Sequence, residues 1–425
     1  MTPAVTPAAP PTDGLPYTPG DTLHLWCLSQ PEAPVVVGAL HQVRAKAGVS
    51  LRYAPTWLQR GFALSEDLPL IDQEFQPLER ETAAGAVDDA RPDRWGERVI
   101  RFIDKPPRLA VLDYLYFAGD ERFGALGVST SAQHYLPRGF GPLPQLGDVP
   151  AIERLVHQVL AGDPVAEPLR RLIAPGVTLG GARPKALLNI EGEPWVLKFN
   201  ELGEPLDTPL IEHASMTLAA RAGIRVATTR PLPLARGHAL AVKRFDRAGP
   251  TRVHALSANV ALKAAGVGLG YPELAQLLRR RGPLQHNTAA QHMQELFRRM
   301  VFNILIDNTD DHEKNHVLLV RPDGSHELSP AFDVLPTAQA LGYQQMRVGT
   351  QAGDSTLDNA LSEARQFGLN AAQAQAQVHQ VCEVVDGWRP HFAAAGVTPR
   401  DLDELASRID RPFLLTQRRA YLGAR

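Results

Sequence analysis

The stretch FNILIDNTDDHEKNHVLLV (residues 302–320) decides how this chain is read. It begins as the end of a long apolar helix, breaks into a burst of polar residues, and closes on the aliphatic pattern of a strand. Within the burst, Asp310 and Asn315 stand five positions apart. A carboxylate there can accept a hydrogen bond from a hydroxyl and orient it, and an amide oxygen is a hard ligand suited to Mg2+. Further on, LSPAFDVLP (328–336) places Asp333 between a strand candidate and a proline turn, where a second carboxylate could share that cation. Asp-rich turns also cap helices, and Asn308, Thr309 or Asp310 could do only that. The two segments together, in this order, carry the chemical reading.

Asp-x-x-x-x-Asn is the spacing of the protein-kinase catalytic loop, and Asp333 would take the part of the second, metal-binding aspartate. Such chemistry needs cations for the phosphates. WVLKF (195–199) offers Lys198 in an apolar strand pattern, and Glu212, on a helix expected over 209–222, could hold it in place. A lysine at a strand end is also an ordinary surface residue. TLGGARPK (178–185) adds Gly180, Gly181 and Lys185. Adjacent glycines let backbone N–H groups approach a phosphate, although Gly-Gly is equally a common turn. Neither a Walker GxxxxGK[ST] nor the eukaryotic-kinase GxGxxG accompanies it.

His312 to His316 also spells HExxH, the zinc-protease signature. That reading requires both histidines on one face of a continuous helix, with Glu313 activating a water. The preceding Asn308–Asp311 favours ending a helix, and Val317–Val320 follows at once as a strand, so magnesium is the preferred metal. Gly266, Gly268 and Gly270 lack nucleotide-loop spacing and read as a connection between helices. Arg279–Arg281 reads as a solvated helix end or a nucleic-acid contact, and His254 as a satisfied polar group.

The 425 residues, 44% of them hydrophobic, can bury more than one core. A net charge of −2 excludes a strongly electrostatic, sequence-blind nucleic-acid binder. Cys27 and Cys382 form no CxxC, which points to a reducing compartment. No apolar run approaches a membrane span, and the Pro-rich start reads as an arm, not a signal; a cytoplasmic protein is expected. Strands are expected at 22–28, 35–40, 186–190, 195–199, 230–234 and 238–243. Helices are expected at 88–103 (after a polar start), 113–119, 151–161, 209–222, 272–281, 288–306, 369–395 and 412–422. Strands first and helices later imply an α+β, two-lobed arrangement.

Several motifs in order resemble the HipA family of bacterial serine/threonine kinases, toxins of toxin–antitoxin pairs. ALSEDLPL (63–70), DDARPDRWGERVI (88–100) and FGALGVS (123–129) are similar to its N-terminal subdomain. TLGGARPK is similar to its glycine-rich loop, VKRFDR (242–247) to its interlobe hinge, and NTDDHEKN and PAFDVLP to its catalytic segments. The resemblance implies a two-lobed kinase-like fold: an arm (1–20), an N-terminal α/β subdomain (21–135), a linker (136–150), a kinase-like N-lobe (151–245) and a mostly helical C-lobe (246–425). It implies Asp310 as catalytic base, Asn315 and Asp333 as Mg2+ ligands, and Lys198 at the ATP phosphates with Lys185 near the loop. Glu212 would pair the lysine, Lys243 and Phe245 would line the adenine pocket, and His312 would serve the loop. Thr178 stands where the family has an autophosphorylated serine. The implied partners are a HipB-like helix-turn-helix antitoxin, operator DNA mainly through it, and a protein substrate, an aminoacyl-tRNA synthetase. A kinase-like scaffold acting as co-repressor is the competing reading.

Overall fold

A computed structural model describes residues 18–337 and 341–423, apart from 140, 167, 168, 170, 171, 174, 175, 177–180 and 182. The expected arm therefore lies, up to residue 17, outside the described residues.

The N-terminal subdomain is built on five antiparallel strands: β1 (Thr22–Cys27), β2 (Val35–Val43), β3 (Gly48–Tyr53), β4 (Glu74–Phe75) and β5 (Leu126–Ser129), in the order β4-β3-β2-β1-β5. Interior strand β1 buries Leu23, Leu25, Trp26 and Cys27, as a strand covered on both faces must. Helix α1 (Pro55–Arg60) lies against β2, α2 (Arg94–Val99) runs into a π turn at Ile100–Asp104, and α3 (Val111–Phe117) packs on the sheet.

The next unit starts with α4 (Val149–Ala161), two residues earlier than expected because Pro150 fits the first turn. Its sheet comprises β6 (Lys185–Ile190), β7 (Glu193–Lys198), β8 (Thr229–Pro233) and β9 (His238–Lys243), in the order β6-β7-β9-β8, with α5 (Thr208–Arg221) between β7 and β8 in sequence. Strand alternation sorts its side chains into two cores. Ala186, Leu188, Trp195 and Leu197 pack in the core that holds the buried face of α4. Leu187, Val196, Leu240 and Val242 join the core of α5 and the C-lobe. Lys185 and Lys198 fall on this second face by parity.

The segment 242–247 is clamped to the N-terminal subdomain. Asp246, fully buried, accepts from Arg244 at 2.7 Å, Arg247 at 2.7 Å and the Gly124 N–H at 2.8 Å, and Arg244 also donates to the Arg122 carbonyl at 2.9 Å. A small hairpin, β10 (Arg247–Ala248) and β11 (Thr251–Arg252), leads to a three-stranded sheet of β12 (His254–Ser257), β13 (Val317–Val320) and β14 (His326–Leu328). The helices of this lobe are α6 (Ala258–Ala264), α7 (Tyr271–Arg281), α8 (Thr288–Leu305), α9 (Leu357–Ser362), α10 (Ala371–Asp386), α11 (Trp388–Ala394), α12 (Pro399–Ile409) and α13 (Pro412–Gly423). The single helix expected over 369–395 is two, broken at Gly387, a residue that ends α10 and opens α11 at low cost to a chain change of direction. The result is the two-lobed α+β, kinase-like fold expected from the sequence, with α8 buried at the centre of the C-lobe.

Candidate active site

Lys185 and Lys198 are direct cross-strand partners in the β6–β7 register. Two like charges opposite one another in a sheet destabilise it unless carboxylates surround them. Here they do. Lys198 Nζ lies 2.7 Å from Glu212 Oε1 on α5 and 2.7 Å from Asp333 Oδ1. Lys185 Nζ lies 2.5 Å from Asp93 Oδ2 and donates to the Gly181 carbonyl at 3.2 Å. Burial alone would favour neutral Lys198; the two carboxylates outweigh it and keep the ammonium charged. Burial likewise opposes ionisation of Asp333, but Lys198, Lys185 and Arg183 hold its carboxyl below the usual range. Glu212 is the more deeply enclosed of the two, and burial pushes it up.

Asp333 has a positive φ of 59°, rare for a residue with a side chain. Its backbone is fixed from before: Ala331 pairs with Val226, and Phe332 is buried against Phe245 with ring centroids 5.4 Å apart. A Cβ on Gly181 would sit 3.8 Å from Asp333 Oδ2 and 3.9 Å from Lys185 Nζ, so the glycine backbone passes close over both.

The polar burst follows α8. Asp307, also at positive φ, accepts from Arg411 at 2.7 Å and ends the helix. Thr337 donates to the Asp307 carbonyl at 2.9 Å and meets Thr309 Oγ1 at 2.6 Å. Asp310 is exposed, and Gln345 Nε2 donates to its Oδ1 at 2.7 Å. Asp311 turns inward, accepting from His316 Nε2 at 2.8 Å and from the buried Tyr271 hydroxyl. Glu313–Asn315 is one 3-10 turn, and Asn315 is buried. Among the described residues its Oδ1 has no hydrogen-bond partner. An orphaned buried acceptor is costly unless something else satisfies it, and a hard cation does so. Asn315 Oδ1 is thus an oxygen donor of the kind Mg2+ takes.

Zinc is not favoured by the same segment. His312 precedes the 3-10 turn and His316 follows it in extended backbone, engaged by Asp311. Among the described residues no group of three His, Cys, Asp or Glu side chains could hold a metal.

Asp310, His312, Glu313 and Lys314 open onto a cleft of about 890 Å3 whose far wall is Asp88, Asp89, Arg91, Asp93 and Arg94 of the N-terminal subdomain, with Gly181 and Phe123 between. The structure brings Lys185, Lys198, Glu212, Asp333 and Gly181 together, with Asp310 and His312 on the adjoining cleft. Phe245 stands between Phe123 and Phe332. Lys243 is not drawn into this group: it faces Glu193 at 3.6 Å, at the opposite end of β7 from Lys198. Thr178 and Gly180 lie outside the described residues. Sequence reasoning missed Asp93, Asp311 and Gln345; Asp93 and Asp311 lay in segments already singled out, and Gln345 did not.

The profile of the HipA-like C-terminal domain matches residues 177–388, and that of the HipA N-terminal domain matches residues 33–129. The chain belongs to the HipA family. The HipA of Shewanella oneidensis MR-1, solved with HipB and operator DNA, has the same fold: TM-score 0.64 at 17% identity, covering 94% of this chain and 97% of that one. The candidate kinase Y4mE of Sinorhizobium fredii is 26% identical over 326 residues, 71% of this chain and 75% of that protein. A looser match is the proinflammatory kinase CtkA of Helicobacter pylori, with TM-score 0.38 and 15% identity over 56% of this chain. Against the HipA profiles, the paired lysines, Asp310, Asn315 and Asp333 all fall within the C-terminal domain, whereas Asp93 comes from the N-terminal one. This HipA-family site is therefore closed by both domains.

Proposed function

We propose that this HipA-family protein is an ATP- and Mg2+-dependent serine/threonine protein kinase. The observation that carries the reading is Lys198 held at 2.7 Å by both Glu212 and Asp333, beside a loop that presents Asp310. Lys198 and Lys185 would bind the ATP phosphates, releasing carboxylates that hold them now. Asp310 would accept the proton of a Ser or Thr hydroxyl as that oxygen bonds to the γ-phosphorus and the bond to ADP breaks. Asn315 and Asp333 would hold magnesium, which neutralises phosphate charge when bound. Phe245 would border the adenine, His312 would steady the loop, and Thr178 would be the site of self-phosphorylation, with Gly180 and Gly181 beside the phosphates.

In the cell this activity would be that of a cytoplasmic growth-arresting toxin. The Shewanella HipA was solved with HipB and operator DNA; a HipB-like antitoxin contacting operator DNA is proposed here by that likeness. An aminoacyl-tRNA synthetase is the proposed substrate. Among the described residues no helix is long and apolar enough to cross a membrane. The test is incubation with Mg-ATP and cell extract beside an Asp310→Gln variant, with phosphosites mapped by mass spectrometry. A wild-type-specific phosphate on a synthetase supports the proposal, and one on Thr178 supports the loop switch. Identical phosphopeptides from both proteins would sink the catalytic assignment. No phosphorylation, with DNA co-binding intact, would favour the scaffold.

A further inference from the structure

Gln345 is exposed, and the residues on either side of it are anchored in the C-lobe. Its neighbours Gln344 and Met346 are both buried. The Gln344 N–H donates to the Gly353 carbonyl at 2.6 Å, and its side chain donates to Ser355 at 2.9 Å, closing residues 344–355 on themselves. Arg347 pairs with Glu273 of α7 at 2.7 Å and with Glu363, and exchanges backbone hydrogen bonds with Leu269 and Tyr271. Between these buried neighbours the Gln345 side chain points outward, and its Nε2 donates to Asp310 Oδ1 at 2.7 Å. Asn315 Nδ2 faces the Asp310 carbonyl at 3.5 Å. We propose that Gln345 is a positioning residue: its amide holds Oδ1 of Asp310 so that Oδ2 is presented to the incoming hydroxyl.

The proposal rests on Asp310 being the base. A neutral donor suits that task, because it fixes the carboxylate without weakening it as a base, as a paired lysine or arginine would. His312, Glu313 and Lys314 of the loop also face this cleft, as do Glu81, Asp88, Asp89, Arg91, Asp93, Arg94 and Glu97 across it. All are shared by wild type and variants, so a difference reports position 345.

The full chain is assayed with Mg-ATP for ADP release and for labelling of casein or of the chain itself. Asp310→Asn is the control: if it matches wild type, or wild type is inert, the kinase reading itself fails. With that control passed, Gln345→Ala and Gln345→Met lower kcat about tenfold, the worth of one hydrogen bond to a charged group, with KM for ATP unchanged. Methionine keeps the length and lacks the donor, so it separates the hydrogen bond from packing. Gln345→Glu moves the acidic limb of the pH–rate profile to higher pH, lowering the rate there roughly fivefold, as two like charges ~4 Å apart in water would. Wild-type rates in Gln345→Met, faster turnover in Gln345→Ala, or an unmoved acidic limb in Gln345→Glu each overturn the proposal.

Discussion

Lys198 and Asp333, 135 residues apart in the chain, meet at 2.7 Å and so tie the β7 strand to the C-lobe. Glu212 completes the set on the same ammonium. Replacing Lys198 by Met leaves two enclosed carboxylates without their cation. The expected cost is about 3 kcal/mol or more, together with loss of ADP release. The double variant Lys198→Met/Glu212→Leu removes one of those carboxylates, and is expected to regain stability in urea denaturation but no activity. Recovery of activity would show that Lys198 serves folding alone.

Asn315→Leu is expected to separate stability from function in the opposite sense. Among the described residues its Oδ1 is a buried acceptor without a partner, so an apolar replacement is neutral or stabilising within about 1 kcal/mol. Magnesium-dependent ATP binding, followed by calorimetry, weakens at least tenfold. A large loss of stability with unchanged magnesium dependence would place Asn315 in the scaffold.

The Asp93–Lys185 contact is the N-terminal subdomain's hold on the lysine pair. Asp93→Ala is expected to cost about 3 kcal/mol, in line with breaking one side of an enclosed ion pair. Hydrogen exchange is expected to rise in the backbone of residues 93–99 before it rises in α8. Uniform loosening across the chain would contradict this.

Acid should weaken the C-lobe through two histidines. Burial, with Arg225 nearby, pushes His292 down to about 4; burial, with Arg281 nearby, does the same to His326. Unfolded, each takes up a proton near pH 6.5, before the folded form does. The stability they contribute is therefore complete above about pH 6.5 and lost as pH falls toward about 4. Neutral His292 also accepts the Leu328 N–H at 3.3 Å. Burial pushes Asp89 and Asp307 up to about 6, and those carboxyls act in the opposite direction over the same window. The readout is thus a comparison: the slope of unfolding free energy against pH between 6.5 and 4 should be less positive in His326→Leu than in wild type. Equal slopes would refute the assignment.

The regular elements of the lobes were legible because their signals are local. Short apolar runs marked β6, β7 and β9, and the long periodic runs marked α7 and α8. Lys198 was legible as a cation in an apolar strand, and Asp310 with Asn315 by spacing. Asp93 was not, since nothing local distinguishes a helix cap from a lysine's partner 92 residues away. Gln345 was not, because an exposed glutamine has no pattern of its own. The inward turn of Asp311 toward Tyr271 and His316 depends on the closing of the C-lobe core, which no window of sequence contains. α12 was passed over although its amphipathic pattern and Thr398 cap are both present in the sequence.

Arg411 lies 104 residues beyond the Asp307 carboxylate that it holds. During synthesis, then, the positive-φ turn that opens the catalytic segment is made long before its counter-ion exists. A ribosome-bound chain has α8 and the polar burst outside the exit tunnel while Arg411 is still untranslated. For a protein proposed to arrest growth, this order delays the assembled loop until nearly all of the C-lobe has been made.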